Sequence, residues 1–243
     1  MITENSPSTD PIGFAIDFYQ KTNTEAIIEV ETTVTEDEEL PVSHFFRTFT
    51  DFPNQEKEAL KRVEGKVLDI GAGAGCHSLY LQNEQIDVHA LDISTQACSV
   101  MTGLGINKVT CQDIWTYQPK EKYDTLLMLM NGIGMVKDLN GLKLFLLKCK
   151  EFLNAGGKIL IDSADIIYMY QEEDGSVAID LNDKYHGEIE YRLRYETADS
   201  GWFPWLYVGF EVLQDIATEC GYETELLYAD KTYSFSAELK LKS

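Results

Sequence analysis

The sequence predicts a doubly wound α/β fold. Three observations carry that expectation: an apolar strand running into a glycine loop, four further apolar strands spaced by helical stretches, and a pair of alternating strands near the carboxyl end. Residues 66–75 read KVLDIGAGAG. Val67, Leu68 and Ile70 suit a parallel strand buried on both faces, while Gly71, Gly73 and Gly75 let the backbone turn sharply and approach a ligand. Residues 76–82 (CHSLYLQ) continue with helical spacing and no breaker, completing a strand, loop and helix unit.

The remaining elements follow in order. Residues 87–91 (DVHAL) form a second strand ending on Asp92, 21 positions after Gly71; an acidic residue about 20 positions on suits ribose hydroxyls. Residues 106–110 form a third strand, followed by Gln112 and Asp113. Residues 123–130 (YDTLLMLM) are too apolar for exposure on either face, and they deliver Asn131 at a carboxyl end, where open α/β sheets bind ligands. Residues 139–153 place Leu142, Phe145, Leu146, Cys149 and Leu153 on one helical stripe, closed by the turn at 154–157 before a fifth strand, 158–162, that ends on Asp162. A helix over 210–220 stops at Gly221, and residues 222–228 and 233–241 alternate as an antiparallel hairpin.

The glycine spacing selects among cofactors. An NAD fingerprint needs its third glycine at position 76, which is Cys76, and no Lys-Ser or Lys-Thr follows to make a phosphate loop. With GxGxG, Asp92, Asp113 and Asn131 in this order, the chain resembles the class I S-adenosylmethionine-dependent methyltransferases, well over residues 66–163 and loosely over 209–241. The resemblance implies a mostly parallel seven-stranded sheet whose last strand enters antiparallel, with S-adenosyl-L-methionine as cofactor. It also implies site roles: Gly71, Gly73 and Gly75 against the amino-acid part of the cofactor, Asp69 orienting the loop or the ammonium, Asp92 on the ribose, Asp113 on the adenine amine, and Asn131 beside the methionine or sulfonium. The function it implies is methyl transfer to a small-molecule acceptor by in-line displacement. Two alternatives stay open: a non-catalytic cofactor-binding scaffold, and another adenosyl-cofactor enzyme on the same fold, such as an aminopropyl transferase or a dehydrogenase.

Two segments fall outside the resemblance. Residues 1–60 are expected to form a cap with a short helix at 12–19, ahead of a cofactor domain at 61–243 that carries a lid insertion at 164–208. Within the cap, residues 41–52 (PVSHFFRTFTDF) bring together four phenylalanines whose plain role is packing. His44 stays open between a structural hydrogen bond and a place near the acceptor, and Asn54 is expected to cap a helix running to Val63. In the lid, 177–181 and 188–196 read as an antiparallel hairpin, making an inserted β lid. Period two puts Arg192 and Arg194 on one strand face, for recognition of an anionic acceptor group or for pairing with nearby acids. A proline-fixed loop carries Trp202 and Trp205, to wall the acceptor or to cover the sheet edge. Candidate general bases are His44, Asp162 and His186; His77 reads as local packing and His89 as structural.

Bulk properties narrow the partners. A net charge of −21 on 243 residues repels nucleic-acid phosphates and anionic membranes, leaving a small molecule as the expected partner and the oligomeric state open. No apolar run reaches the roughly 18 to 20 residues of a membrane span, and residues 1–10 lack a signal pattern, so a cytoplasmic protein is expected. Five scattered cysteines without a CxxC pair predict neither disulfides nor a metal site.

Overall fold

The computed structural model of the protein describes residues 9–170 and 184–242. In chain order its elements are α1 (Pro11–Thr22), β1 (Ile27–Thr32), β2 (Glu38–Pro41), α2 (Asn54–Leu60), β3 (Val67–Ile70), α3 (Cys76–Asn83), β4 (Val88–Asp92), α4 (Thr95–Gly103), β5 (Val109–Cys111), β6 (Tyr123–Met128), α5 (Leu139–Phe152), β7 (Leu153–Ala164), β8 (Glu188–Tyr195), β9 (Ala198–Asp199), β10 (Phe203–Leu206), α6 (Phe210–Glu219), β11 (Tyr222–Ala229) and β12 (Ser234–Leu241). Turns of 3₁₀ helix at Val42–Phe46, Phe49–Asp51 and Gly132–Val136 fill short connections.

The expected seven-stranded sheet is present in the order β11-β12-β7-β6-β3-β4-β5. Strands β3 to β7 pair in parallel, and β12 runs antiparallel against both β7 and β11. Its central strands are apolar on both faces because helices cover both. Leu68, Ile70, Leu126, Met128, Ile159 and Ile161 pack with α5 and α6 residues such as Phe145 and Leu213, while Val67, Leu127 and Leu160 pack with Ala59, Leu60 and Leu81 of α2 and α3. Each such side chain contributes about 1.5–3 kcal/mol when fully buried, so the two-sided burial ties both helical layers to the sheet.

A second, antiparallel sheet joins the first 60 residues to the lid. Its order is β10-β8-β1-β2, with β9 on β8, and Val30 of β1 sits opposite Leu193 of β8. The apolar face of β8 shares a core with Ala15 and Ile16 of α1 and with Ala97 and Val100 of α4. This sheet therefore roofs the glycine-loop end of the larger one.

Several local expectations are corrected. The hairpin partner expected at 177–181 lies outside the described residues; among these, the strand at 188–195 pairs with β1 and β10. The loop expected around Trp202 and Trp205 contains strand β10, which accommodates Pro204 because an edge strand can spare a backbone N–H. Asn54 is the first residue of α2 rather than its cap; Pro53 takes that place, and the Asn54 amide reaches the Tyr228 hydroxyl at 3.5 Å. The third strand starts at Val109, because Ile106 turns inward beneath Gly75. The turn expected at 154–157 belongs to β7, with an irregular register against β6.

Candidate functional site

The glycine loop leaves β3 with Gly71, Gly73 and Gly75 all at positive φ. A Cβ on Gly71 would meet nothing within 4 Å, so its face is open for a ligand, whereas a Cβ on Gly75 would lie 2.4 Å from Ile106 Cδ1. The first glycine thus serves approach and the last serves packing. Asp92 at the end of β4 clamps the loop: its Oδ2 accepts from the Gly73 N–H at 2.8 Å and its Oδ1 accepts from the Ser94 N–H at 2.8 Å. Burial pushes the Asp92 carboxyl above its usual range, partly offset by those two N–H groups. Ser94 Oγ also donates to Asp10 at 2.5 Å, tying the start of α1 to the same turn. Asp113 lies just past β5 and accepts from the Trp115 N–H at 2.9 Å.

At the end of β6, Met130 and Asn131 both adopt left-handed backbone, at φ 59° and 51°. Such conformations are costly for non-glycine residues and persist where the surroundings hold them. Buried Asp162 of β7 does so, accepting from the Met130 N–H at 3.2 Å and the Asn131 N–H at 2.7 Å. The Asn131 side chain accepts from Ser163 Oγ at 2.9 Å and donates to the Leu206 carbonyl at 3.5 Å. Burial raises the Asp162 carboxyl to about 7.

Beneath this edge, on the α2 and α3 side, lies a buried ionic network absent from the sequence expectations. Arg47 donates from Nη2 to both oxygens of Glu56, at 3.0 and 3.3 Å, and His77 Nε2–H donates to Glu56 Oε2 at 2.8 Å. The side chains of Glu56 and His77 are only 3% and 6% exposed, so solvent does not screen the pair. Burial disfavours a charged His77, yet Cys76, Glu56 and Asp69 more than compensate and push it up to about 10. Burial works against the Glu56 carboxylate as well, but His77 and Arg47 hold it below its usual range. Asp69 is buried at the end of β3 and accepts from Ser78 Oγ at 2.7 Å, with burial raising its carboxyl. His77 is therefore an imidazolium set directly behind the glycine loop rather than a local cap. One sequence signal marks Glu56: it falls on the buried stripe of Phe52, Ala59 and Leu60.

The structure brings Asp69, the three glycines, Asp92, Asp113, Asn131 and Asp162 to the carboxyl edge of the large sheet. His44 lies by the buried ionic network, within electrostatic reach of Arg47, Glu56 and His77, and it is its neighbour Phe45 whose ring lies 3.6 Å from the position of a Gly73 Cβ; burial and then Arg47 lower the His44 pKa. Trp205 reaches the edge too, with its indole against Gly134. Arg192, Arg194 and Trp202 do not. Arg192 is held by Asp199 at 2.5 Å and Arg194 by Glu31 at 2.5 Å, on the β8 face opposite the packed one, and Trp202 is exposed. His186 is bonded to Asp165 at 2.8 Å, and His89 to Tyr123 and Thr110, both at 2.8 Å.

Comparison with known proteins identifies the family. A solved S-adenosylmethionine-dependent methyltransferase from Bacteroides fragilis, in complex with S-adenosyl-L-homocysteine, is 34% identical over 98% of each chain, with a TM-score of 0.90. An amino pentose methyltransferase from Micromonospora echinaspora shares the fold at 10% identity, over 79% of this chain and 93% of its own, with a TM-score of 0.53. A sugar N-methyltransferase from Streptoalloteichus sp. does so at 14% identity, over 87% and 98%, with a TM-score of 0.55. A search of curated proteins gave no match. The protein is a class I methyltransferase whose cofactor is S-adenosyl-L-methionine. The family model described as tellurite resistance protein TehB matches residues 43–170, and the chain belongs to that family. The residues present fit the cofactor: the open face of Gly71 admits it, and carboxylates stand at the ends of β3 and β4. No helix among the described residues is long and apolar enough to cross a membrane.

Proposed function

We propose that this methyltransferase acts on a small-molecule acceptor, by in-line displacement in which the protein contributes chiefly position. The observation that carries the reading is Asn131. Its strained backbone is pinned by Asp162, and its side chain is bonded on one side to β7 and on the other to the roof sheet, so the cofactor edge and the roof meet at one residue. When bound, S-adenosylmethionine supplies a methyl group made electrophilic by the sulfonium. Gly71, Gly73 and Gly75 shape its amino-acid cradle with Asp69 behind them; Asp92 takes the ribose, Asp113 the adenine amine, and Asn131 borders the methionine. The described parts of the cap expected at 1–60 and of the lid expected at 164–208 act together as a roof over the cofactor edge of the 61–243 domain, excluding water and orienting the acceptor. Positioning of this kind contributes about 7–11 kcal/mol to a bimolecular reaction. For an acceptor that must shed a proton, His44, with its pKa lowered, and Asp162, at about 7, both suit a base working near neutral pH.

The charge of −21, and the absence of an arginine cluster at the edge among the described residues, favour a small neutral or cationic acceptor over nucleic acid. The test is calorimetric titration with S-adenosylhomocysteine, with NAD as control, followed by a screen of small amines, phenols and thiols for acceptor-dependent S-adenosylhomocysteine release. Selective micromolar binding with acceptor-dependent release is expected. Binding without release for any acceptor would favour a scaffold.

A further inference from the structure

A cavity of about 290 Å³ lies between the roof sheet and the carboxyl end of β7. Its walls include Tyr168, Tyr191, Tyr207 and Ala164, with Ser234 of β12 at one side and Glu38 of β2 at another. Two of these residues touch the methyl-donor edge through their neighbours in the chain. Ala164 follows Ser163, whose hydroxyl donates to Asn131, and Tyr207 follows Leu206, whose carbonyl accepts from Asn131. Two walls of the cavity are thus next in sequence to the two partners of Asn131.

The wall chemistry is one-sided. Tyr191 and Tyr207 share a hydroxyl hydrogen bond at 2.7 Å with their rings nearly parallel, and Tyr168 stacks on Tyr233 at 5.7 Å, so the ring planes are fixed in advance. Glu38 is near enough to bear electrostatically on both Tyr191 and Tyr207. Thr32, Thr35 and Thr232 add hydroxyls, and among the described residues the lining holds no lysine, arginine or histidine. Aromatic faces with a carboxylate at the rim attract a cation, and nothing in the wall pairs with a carboxylate or a phosphate. The volume is at the lower end for small-molecule pockets.

We propose that this cavity is the acceptor subsite and that it takes a small organic amine, bound as its ammonium by Tyr168, Tyr191, Tyr207 and Glu38; the nitrogen gives up a proton to solvent at the Glu38 rim, and its freed lone pair then takes the methyl group as S-adenosylhomocysteine leaves. The proposal rests on the methyl-transfer reading above and adds the chemical class of the acceptor.

Three probes of similar shape and different charge test it on the protein saturated with S-adenosylhomocysteine: tetramethylammonium, tert-butanol and trimethylacetate, titrated by NMR in matched salt. Tetramethylammonium is expected to bind at least tenfold more tightly than tert-butanol, with no saturation by trimethylacetate. Glu38→Gln and Tyr207→Leu should each weaken it at least about fivefold, whereas Glu223→Gln, an exposed acid on β11, should leave it unchanged and so separate the cavity from the general field. Equal binding of tert-butanol, tight binding of trimethylacetate, no saturable binding of the cation, or a cation preference that survives both cavity substitutions would each overturn the amine subsite. Titration of every variant with S-adenosylhomocysteine runs in parallel. Its failure in the wild type would strike the methyl-transfer reading instead, and its survival in a variant shows that the variant is folded.

Discussion

Glu56→Ala should be among the most damaging single substitutions outside the apolar core. Glu56 takes two hydrogen bonds from Arg47 and one from His77, and the side chains of the three are 10%, 3% and 6% exposed for Arg47, Glu56 and His77. Deleting the carboxylate strands two cations. His77 can release its proton, but the Arg47 guanidinium cannot, so part of the cost is not recoverable. Breaking a buried pair by removing one partner costs about 3–5 kcal/mol. At an m-value of about 3 kcal/mol/M, the urea midpoint should fall by about 1–1.7 M. The pH dependence gives a second reading. His77 rises from 6.5 in the unfolded chain to about 10 in the fold, so its contribution is fully present below about 6.5 and is lost as pH climbs through 10. Stability of the wild type minus that of His77→Gln should therefore shrink between pH 7 and 10, and the same difference measured on a Glu56→Ala background should shrink less, since Cys76 and Asp69 still favour the charged ring. A loss below about 1 kcal/mol for Glu56→Ala, the range of exposed ion pairs, would refute the reasoning by showing that the network is hydrated in solution.

Three further outcomes are expected. Asp92→Ala should weaken S-adenosylhomocysteine binding by at least ~1 kcal/mol in calorimetry, the scale of ribose hydroxyls left unpaired, and unchanged affinity would remove Asp92 from the site. Gly134→Ala places a Cβ 2.1 Å from Trp205 Nε1, against a rigid ring, so it should cost about 1–3 kcal/mol and red-shift the tryptophan emission as the roof lifts; an unaltered spectrum would show that the indole packs elsewhere. Gly75→Ala combines a φ of 83° with a Cβ 2.4 Å from Ile106, and should lower stability by about 2–4 kcal/mol in thermal unfolding, where near-wild-type behaviour would mean that the loop relaxes freely.

The sequence by itself determined the large sheet and the cofactor loop, because both are written in short-range pattern. Strand β3 and its glycines lie within ten residues, the two-faced burial of β6 shows as an unbroken apolar run, and Asp92 sits at a fixed interval from Gly71. Tertiary structure alone decided the roof and the buried charges. The pairing of Val30 with Leu193, the contact of Trp205 with Gly134 and the bond from Glu56 to His77 each join residues far apart in the chain, so no local periodicity encodes them. The arginines of β8 show why. Their alternation put them correctly on one face of a strand, but whether that face met an acceptor or a row of glutamates depended on which strand lay alongside, and β1 supplied Glu29 and Glu31. Strand pairing over long separations is chosen by the burial of whole faces, and that choice is made only when the chain is folded.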